Sequence, residues 1–364
     1  MGKQDEHGIS WTHYTFNPWW GCLKVSPGCA NCYAETFAKR TGWDIWGPPA
    51  TTRRRTFGDA HWAEPLKWNA EAAKAGERRR VFCASMADVF EDHPDLPPIR
   101  ERLWALIEQT PALDWLLLTK RPQNIGQMLP RRWSALEVPY GRVPRNVWLG
   151  TSAENQEQFD SRWPVLASEG RDLGVSVLFV SAEPLLGPLD LSAWVDEVDE
   201  REDDNHVYVR GIDWVIVGGE SGPKARPMHP EWVRRIRALC AEHGVPFHFK
   251  QWGEWIAKPL FRGQRAQTAF WGCMDVDGIF NPQTTTWNGR QGHPPDGYEY
   301  TMLRVGKRLA GRELDGRVWD EFPGDHSAAL AGPEGVTHTA PASASSDLYP
   351  NAERTDAGPE GGER

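Results

Sequence analysis

The chain has 364 residues, a formal net charge of −9 and six cysteines. This length suits one large α/β domain with a tail, and no apolar run is long enough to span a membrane. The amino terminus lacks a signal pattern, and the cysteines are too few for a secreted disulfide framework, so we expect a cytoplasmic protein. The negative charge argues against a surface built throughout for duplex DNA.

Short apolar runs that end in polar residues alternate with helix-like segments, which predicts a series of βα units. The predicted strands are 10–16, 80–85, 114–119, 147–151, 175–181, 213–217 and 246–249. The predicted helices are 32–39, 65–75, 97–109, 154–167 and 230–243. We therefore expect an α/β fold, a partial or full TIM-like (β/α) barrel, formed by one domain over residues 1–323.

Three segments interrupt or follow this alternation. Residues 194–210 are strongly acidic and are expected to be an exposed insertion. Residues 262–300 are rich in Gly, Pro, Gln and Thr without any period, which indicates a long excursion or lid. Residues 324–364 contain few large apolar side chains and are expected to be a disordered tail.

A cysteine loop follows the first predicted strand and contains Cys22, Cys29 and Cys32. Three thiolates on one loop can hold three corners of an iron–sulfur cluster and leave the fourth iron open to a small molecule. Gly21 and Gly28 would allow the backbone to approach a bulky cluster closely. The helix that follows would favour the negative charge of the cluster.

Zinc is the main alternative occupant of the cysteine loop. Three cysteines together with His13 or His61 would form a closed tetrahedral site. Unligated thiols, or a redox pair at Cys29 and Cys32, are a further alternative. The spacing alone does not separate cluster from zinc, but the place of the loop at the start of a βα series favours the cluster.

Polar residues stand at most of the predicted strand ends, which converge on one face of a parallel barrel and form its active site. The lysine and arginine side chains at these strand ends, together with Arg226, can bind a phosphate or a carboxylate. The glutamates there can move protons. Each is equally consistent with a buried ion pair or a helix cap. The candidate catalytic residues are Lys120, Arg121, Glu183, Glu220 and Lys250. The candidate cofactor-binding residues are Ser85, Asp88, Thr151, Ser152, Ser181 and Trp252.

The chain resembles an uncharacterised bacteriophage-type family of three-cysteine proteins, found in phages, prophages and bacteria. The matching runs include the cysteine loop, Ser85-Met86-Ala87-Asp88, Thr119-Lys120-Arg121-Pro122, Ser181-Ala182-Glu183-Pro184, Gly218-Gly219-Glu220-Ser221 and Lys250-Gln251-Trp252-Gly253. A three-cysteine loop after the first strand also resembles the radical S-adenosylmethionine enzymes. Ser85 and Asp88 stand at the second-strand position that binds the cofactor amine in those enzymes.

The resemblance implies a [4Fe–4S] cluster on the three cysteines, with S-adenosylmethionine bound at the open iron. One-electron reduction, by an electron donor protein, would cleave this cofactor to a deoxyadenosyl radical. A phage setting suggests a nucleotide or nucleic-acid substrate. Two other predictions remain: a non-enzymatic module, stabilised by zinc or by a cluster, that binds nucleic acid or a partner protein, and a barrel that keeps the cluster without radical chemistry.

Overall fold

The computed structural model describes residues 9–133, 142–195, 198–202, 205–209, 211–258, 271–283 and 297–324. The strands are β1 (Tyr14–Thr15), β2 (Trp19–Trp20), β3 (Arg55–Thr56), β4 (Arg79–Cys83), β5 (Leu113–Thr119), β6 (Val147–Ser152), β7 (Val177–Ala182), β8 (Val198–Glu202), β9 (Asn205–Val209), β10 (Trp214–Gly218), β11 (Phe247–Gln251), β12 (Trp255–Ala257), β13 (Trp271–Met274), β14 (Phe280–Gln283) and β15 (Tyr300–Arg304). The α-helices are α1 (Tyr33–Arg40), α2 (Asp59–Trp62), α3 (Glu64–Ala75), α4 (Pro97–Gln109), α5 (Ile125–Met128), α6 (Gln156–Asp172), α7 (Pro230–Glu242) and α8 (Lys307–Ala310).

A seven-stranded parallel sheet forms the centre of the molecule, in the order β1-β4-β5-β6-β7-β10-β11. These are the seven strands predicted from the apolar runs, and the five predicted helices correspond to α1, α3, α4, α6 and α7. Strands β6, β7 and β10 are each buried along their whole length, as expected when both faces of a parallel sheet are covered.

The sheet curls until its two ends approach each other. Neighbouring strands are about 4.8 Å apart, so β1 and β11 would lie about 29 Å apart in a flat sheet of this order. Instead, Ser10, four residues before β1, has its Oγ 2.8 Å from Nε2 of His248 in β11. The rings of Trp11 and Trp214 are only 6.2 Å apart across the interior. The expected partial (β/α) barrel is therefore confirmed.

Two apolar layers pack against this curled sheet. The helices cover its outer face, where Leu103, Trp104 and Trp163 are fully buried. The inner face carries an apolar cluster of its own, which includes Trp11, Phe82, Leu116, Trp148, Phe179 and Trp214. These residues fill the interior of the curled sheet, and polar groups lie beyond them at the carboxyl ends of the strands.

The acidic insertion and the long excursion were expected to lack regular structure, but their described residues contain β-strands. Within the acidic insertion, β8 and β9 pair as an antiparallel hairpin. Residues 262–270 and 284–296 of the expected excursion or lid lie outside the described residues. Its other residues include β13, β14 and the first residue of β15, which form a four-stranded antiparallel sheet with β12 in the order β12-β15-β13-β14. The sequence pattern misses this sheet because its strands are short and pair with distant partners, such as Trp255 with Arg304.

Residues 325–364 lie outside the described part of the chain, so the tail and the domain boundary at residue 323 stay predictions. Among the helices that the structure describes, none combines the length and apolar character needed to cross a bilayer.

Candidate functional site

A cavity of about 220 Å³ opens at the carboxyl ends of the parallel strands. The cysteine loop forms one wall, and its three cysteines all line the cavity. Trp11, Phe82 and Leu118 give the cavity an apolar floor, which is the upper side of the inner apolar cluster. Polar residues after successive strands form the remaining wall: Ser85, Asp88, Lys120, Arg121, Ser152, Ser181, Glu183, Glu220, Ser221, Lys250 and Gln251.

Arg121 connects the strand ends to the first cysteine. Its Nη1 lies 3.7 Å from Sγ of Cys22, and its Nη2 donates to the carbonyl of Leu23 over 2.7 Å. Asp88 holds the same guanidinium, since its Oδ2 accepts from Nη1 of Arg121 over 2.7 Å. The other oxygen of Asp88 accepts from the Thr119 hydroxyl, also over 2.7 Å. Asp88 therefore positions Arg121, and both its oxygens are engaged within the protein.

A buried carboxylate at the end of β6 holds the middle of the cysteine loop. Glu154 is completely buried and forms ion pairs with Lys120 (3.1 Å) and with Arg162 (2.8 Å). The hydroxyl of Ser26 donates to the same carboxylate. A Cβ on Gly28 would overlap the Glu154 side chain, so the loop requires glycine there. Gly28 thus permits a close approach to Glu154, and it also lines the cavity.

A second ion pair holds the end of the cysteine loop. Arg226 binds Glu220 through two nitrogens, with Nη2 2.6 Å from Oε1 and Nε 2.8 Å from Oε2. Asn31, between the second and third cysteines, donates to Glu220 over 3.1 Å, and Arg226 also donates to the carbonyl of Pro27 over 3.0 Å. Glu220 and Arg226 therefore brace the loop, and the Arg226 guanidinium that was expected to bind an anion is paired with Glu220.

Glu183 and Lys250 form an ion pair in the cavity wall that does not touch the cysteine loop. Nζ of Lys250 lies 2.9 Å from Oε1 of Glu183, and the Ser181 hydroxyl donates to Oε2 over 3.2 Å. Lys250 and Glu183 line the cavity and keep partial exposure, at 19% and 13%. They are placed to bind a polar group of a molecule inside the cavity.

Burial keeps two of the three thiols protonated. It raises the pKa of Cys22 to about 12, although the charge of Arg121 opposes the shift. Burial also raises the pKa of Cys32, against the opposing effect of the Glu35 and Ala34 amides at the start of α1. A metal or cluster that binds these sulfurs must displace their protons, and Arg121 and the helix amides would then stabilise the thiolates.

The donor set fits a three-cysteine cluster better than the alternative zinc site. Neither His13 nor His61 lines the cavity. Nδ1 of His13 accepts from the Arg80 amide, and Nε2 of His61 lies 2.9 Å from the carbonyl of Asn17. In the described ranges no three His, Cys, Asp or Glu side chains converge as ligands of a single ion. Three thiols facing a cavity without a fourth cysteine or a histidine in its lining match a cluster with one open iron.

The structure brings the sequence-selected residues together with two exceptions. Thr151 is completely buried and donates to the carbonyl of Thr119, and Trp252 is 1% exposed and donates to the carbonyl of Glu313. Neither lines the cavity, which removes the reason to assign them to cofactor binding. Trp252 instead packs against Phe249 in the core.

Sequence reasoning does not select Glu154, Ser26 or Asn31 as site residues. A signal for Glu154 was present, since it closes a predicted strand end. Its partners Ser26 and Gly28 lie far away along the chain, so the brace emerges only from the fold.

Comparison with solved structures finds weak likeness to spore photoproduct lyases. A mutant of that enzyme with tyrosine replaced by phenylalanine matches with a TM-score of 0.36 and 12% identity, over 79% of this chain and 72% of that chain. A cysteine-to-alanine mutant with dinucleoside spore photoproduct matches with a TM-score of 0.33 and 14% identity, over 66% and 56%. No curated protein matches the chain. The model of the family described as "Protein of unknown function (DUF5131)" matches residues 6–323, and the chain belongs to this family.

Proposed function

We propose that this protein is a radical S-adenosylmethionine-type iron–sulfur enzyme that acts on a nucleotide or nucleic-acid substrate. The observation that carries the proposal is that all three cysteines of one loop line a cavity at the carboxyl ends of a parallel sheet. Parallel α/β barrels place their active sites at that end. The phage origin of the family, the cytoplasmic location and an electron donor protein remain predictions of the same proposal.

Cys22, Cys29 and Cys32 would hold a [4Fe–4S] cluster. When bound by three protein thiolates, such a cluster keeps one iron open to S-adenosylmethionine and supplies the electron for its reductive cleavage. Arg121 hydrogen-bonds Cys22, and its charge would offset the negative charge of the thiolates. Glu154 and Glu220 keep the loop in place through Ser26 and Asn31.

The opposite wall would bind the cofactor and the substrate. Lys250 can donate to a carboxylate or phosphate, and Glu183 fixes its position at 2.9 Å. The hydroxyls of Ser85, Ser152 and Ser181 add short donors and acceptors along the same wall. Trp11 and Phe82 exclude water from the floor, which strengthens each polar contact above it.

Reductive cleavage of S-adenosylmethionine by anaerobically reconstituted protein tests the proposal. With dithionite as reductant, we expect 5′-deoxyadenosine to form, and we expect the triple variant Cys22→Ala/Cys29→Ala/Cys32→Ala to form none. Cys273→Ala, which alters a buried cysteine of the small antiparallel sheet, should behave as wild type. An intact cluster that yields no 5′-deoxyadenosine above the triple variant would reject the activity.

A further inference from the structure

Three exposed aromatic side chains lie beside the cysteine loop, and one of them also lines the cavity. Tyr33, Phe37 and Trp43 are 54%, 39% and 41% exposed. Tyr33 lines the cavity, and Phe37 follows it by one helical turn along α1. Scattered apolar residues on a surface are ordinary, but a contiguous group at the rim of a polar cavity marks a binding surface.

An arginine fixes the orientation of this aromatic surface. The guanidinium carbon of Arg55 lies 4.4 Å from the ring centroids of both Trp20 and Trp43, and 5.1 Å from that of Phe57. Trp20 packs edge-on against Phe37, with ring centroids 5.8 Å apart. Arg55 covers one face of the Trp43 ring, so the solvent-exposed part of Trp43 is the remainder of the ring. Such a ring is preorganised for stacking.

The same surface carries positive charge in a chain of net charge −9. The guanidinium carbon of Arg40 lies 5.9 Å from the centroid of the Phe37 ring, and the exposed Arg53 precedes Arg55 by two residues in the chain. Within the described residues, none of these three arginines forms an ion pair with a carboxylate. The acidic neighbour Glu35 is already paired with Lys24 at 2.6 Å and with Lys39 at 2.7 Å. Asp44 is a further acidic neighbour, and its charge acts on Lys39. Three arginines are therefore available to an anion.

We propose that this aromatic–arginine platform, made of Phe37, Arg40, Trp43, Arg53 and Arg55, binds single-stranded nucleic acid. Exposed rings that stack bases, interleaved with arginines that contact phosphates, are the means by which single strands are bound. The bases of a duplex are stacked on one another and cannot reach these rings. The inference rests on the proposed function in one respect: a strand on the platform would deliver one base past Tyr33 to the cavity.

Fluorescence anisotropy with a labelled oligothymidylate of about 12 nucleotides tests the platform on the full chain. We expect Trp43→Ala to weaken binding on the order of tenfold, because one base can no longer stack. Trp43→Phe, which keeps a ring, should restore most of the affinity. The double variant Arg40→Ala/Arg53→Ala should lower the salt dependence of binding, by about 0.7 in logarithmic slope for each phosphate that an arginine no longer neutralises. Arg308→Ala, an exposed arginine on α8, is the matched control and should bind as wild type.

Several outcomes would overturn the platform: no binding by the wild-type protein, equal affinity for the duplex of the same sequence, or unchanged binding in Trp43→Ala and the double arginine variant. Iron content and 5′-deoxyadenosine formation are measured on the same preparations. If a platform variant loses binding but keeps its iron, the effect concerns the platform alone. If the wild-type protein binds the oligonucleotide but holds no iron, the proposed function is overturned and the platform stands.

Discussion

The guanidinium of Arg121 lies 3.7 Å from the sulfur of Cys22, and Asp88 fixes it there from the other side at 2.7 Å. Arg121 is 7% exposed, so its charge is poorly screened by solvent. A cationic donor to a ligating sulfur makes a cluster easier to reduce. In the proposed enzyme, Asp88 and Arg121, which follow the second and third strands of the sheet, would therefore influence the reduction potential of the cluster.

Replacing Arg121 by glutamine removes this charge, and the shorter amide side chain also gives up the contacts that Nη1 and Nη2 make with the Cys22 sulfur. We expect the reduction potential of the reconstituted cluster to become more negative in Arg121→Gln. A redox titration followed by electron paramagnetic resonance measures the shift. Arg235→Gln, an exposed arginine on α7, should leave the potential unchanged. The same potential in Arg121→Gln and wild type would contradict the role given to Arg121.

Gly28→Ala should lower the amount of iron that the protein retains. The added Cβ would meet the carboxylate of Glu154, which is held by two ion pairs and cannot move aside cheaply, so the cysteine loop must shift. Gly58→Ala is the matched control, since a Cβ there meets nothing within 4 Å. Iron and sulfide assays after anaerobic reconstitution compare the two variants. Equal iron content in both would show that Glu154 does not set the position of the loop.

Glu154 should make stability depend on pH in the acid range. Burial disfavours its charge, but Lys120 and Arg162 together with Ser26 outweigh burial and lower the pKa of Glu154 to about 2. Because the folded-state pKa is lowered, the stabilisation is complete above the unfolded pKa of about 4.5 and is lost as the pH falls toward 2.

Urea unfolding of wild type and Glu154→Gln checks this behaviour. Near neutral pH we expect the variant to have a lower free energy of unfolding, by about 3 kcal/mol at most. This difference should shrink as the pH is lowered from about 6.5 to about 3.5. A difference that stays constant over that range would mean that the Glu154 charge contributes nothing.

Lys250→Met should separate chemistry from cluster assembly. Lys250 pairs with Glu183 and makes no contact with the cysteine loop, so we expect iron content to remain at the wild-type level while 5′-deoxyadenosine formation falls at least about tenfold. Glu220→Gln should instead impair cluster assembly and lower the iron content, because Glu220 holds Asn31 and Arg226. If Lys250→Met lost iron and Glu220→Gln kept it, the division of roles between the two walls would be wrong.

The parallel sheet and its polar edge could be predicted from sequence, because a buried strand has a local signature. Runs such as Leu113–Thr119 are apolar for most of their length and end in a charged or hydroxyl residue. Once the strands are known to be parallel, their carboxyl ends must meet, and Ser85, Lys120 and Lys250 fall on one cavity.

Contacts between distant segments have no such local signature. Thr151 and Ser152 are equally polar neighbours at the end of β6, but alternation along a strand sends them to different sides, and only Ser152 lines the cavity. Trp252 follows two cavity residues, yet its ring fits the core and its indole N–H donates to the carbonyl of Glu313. The brace between Ser26 and Glu154 likewise depends on how the sheet curls.

The metal content of anaerobically isolated protein tests the central claim most directly. We predict about four irons and about four sulfides per chain, with broad absorption at about 400 nm. Cys22→Ala, Cys29→Ala and Cys32→Ala should each lose this iron, and Cys273→Ala should keep it. One tightly held zinc and no iron, after anaerobic reconstitution has also been attempted, would contradict the account.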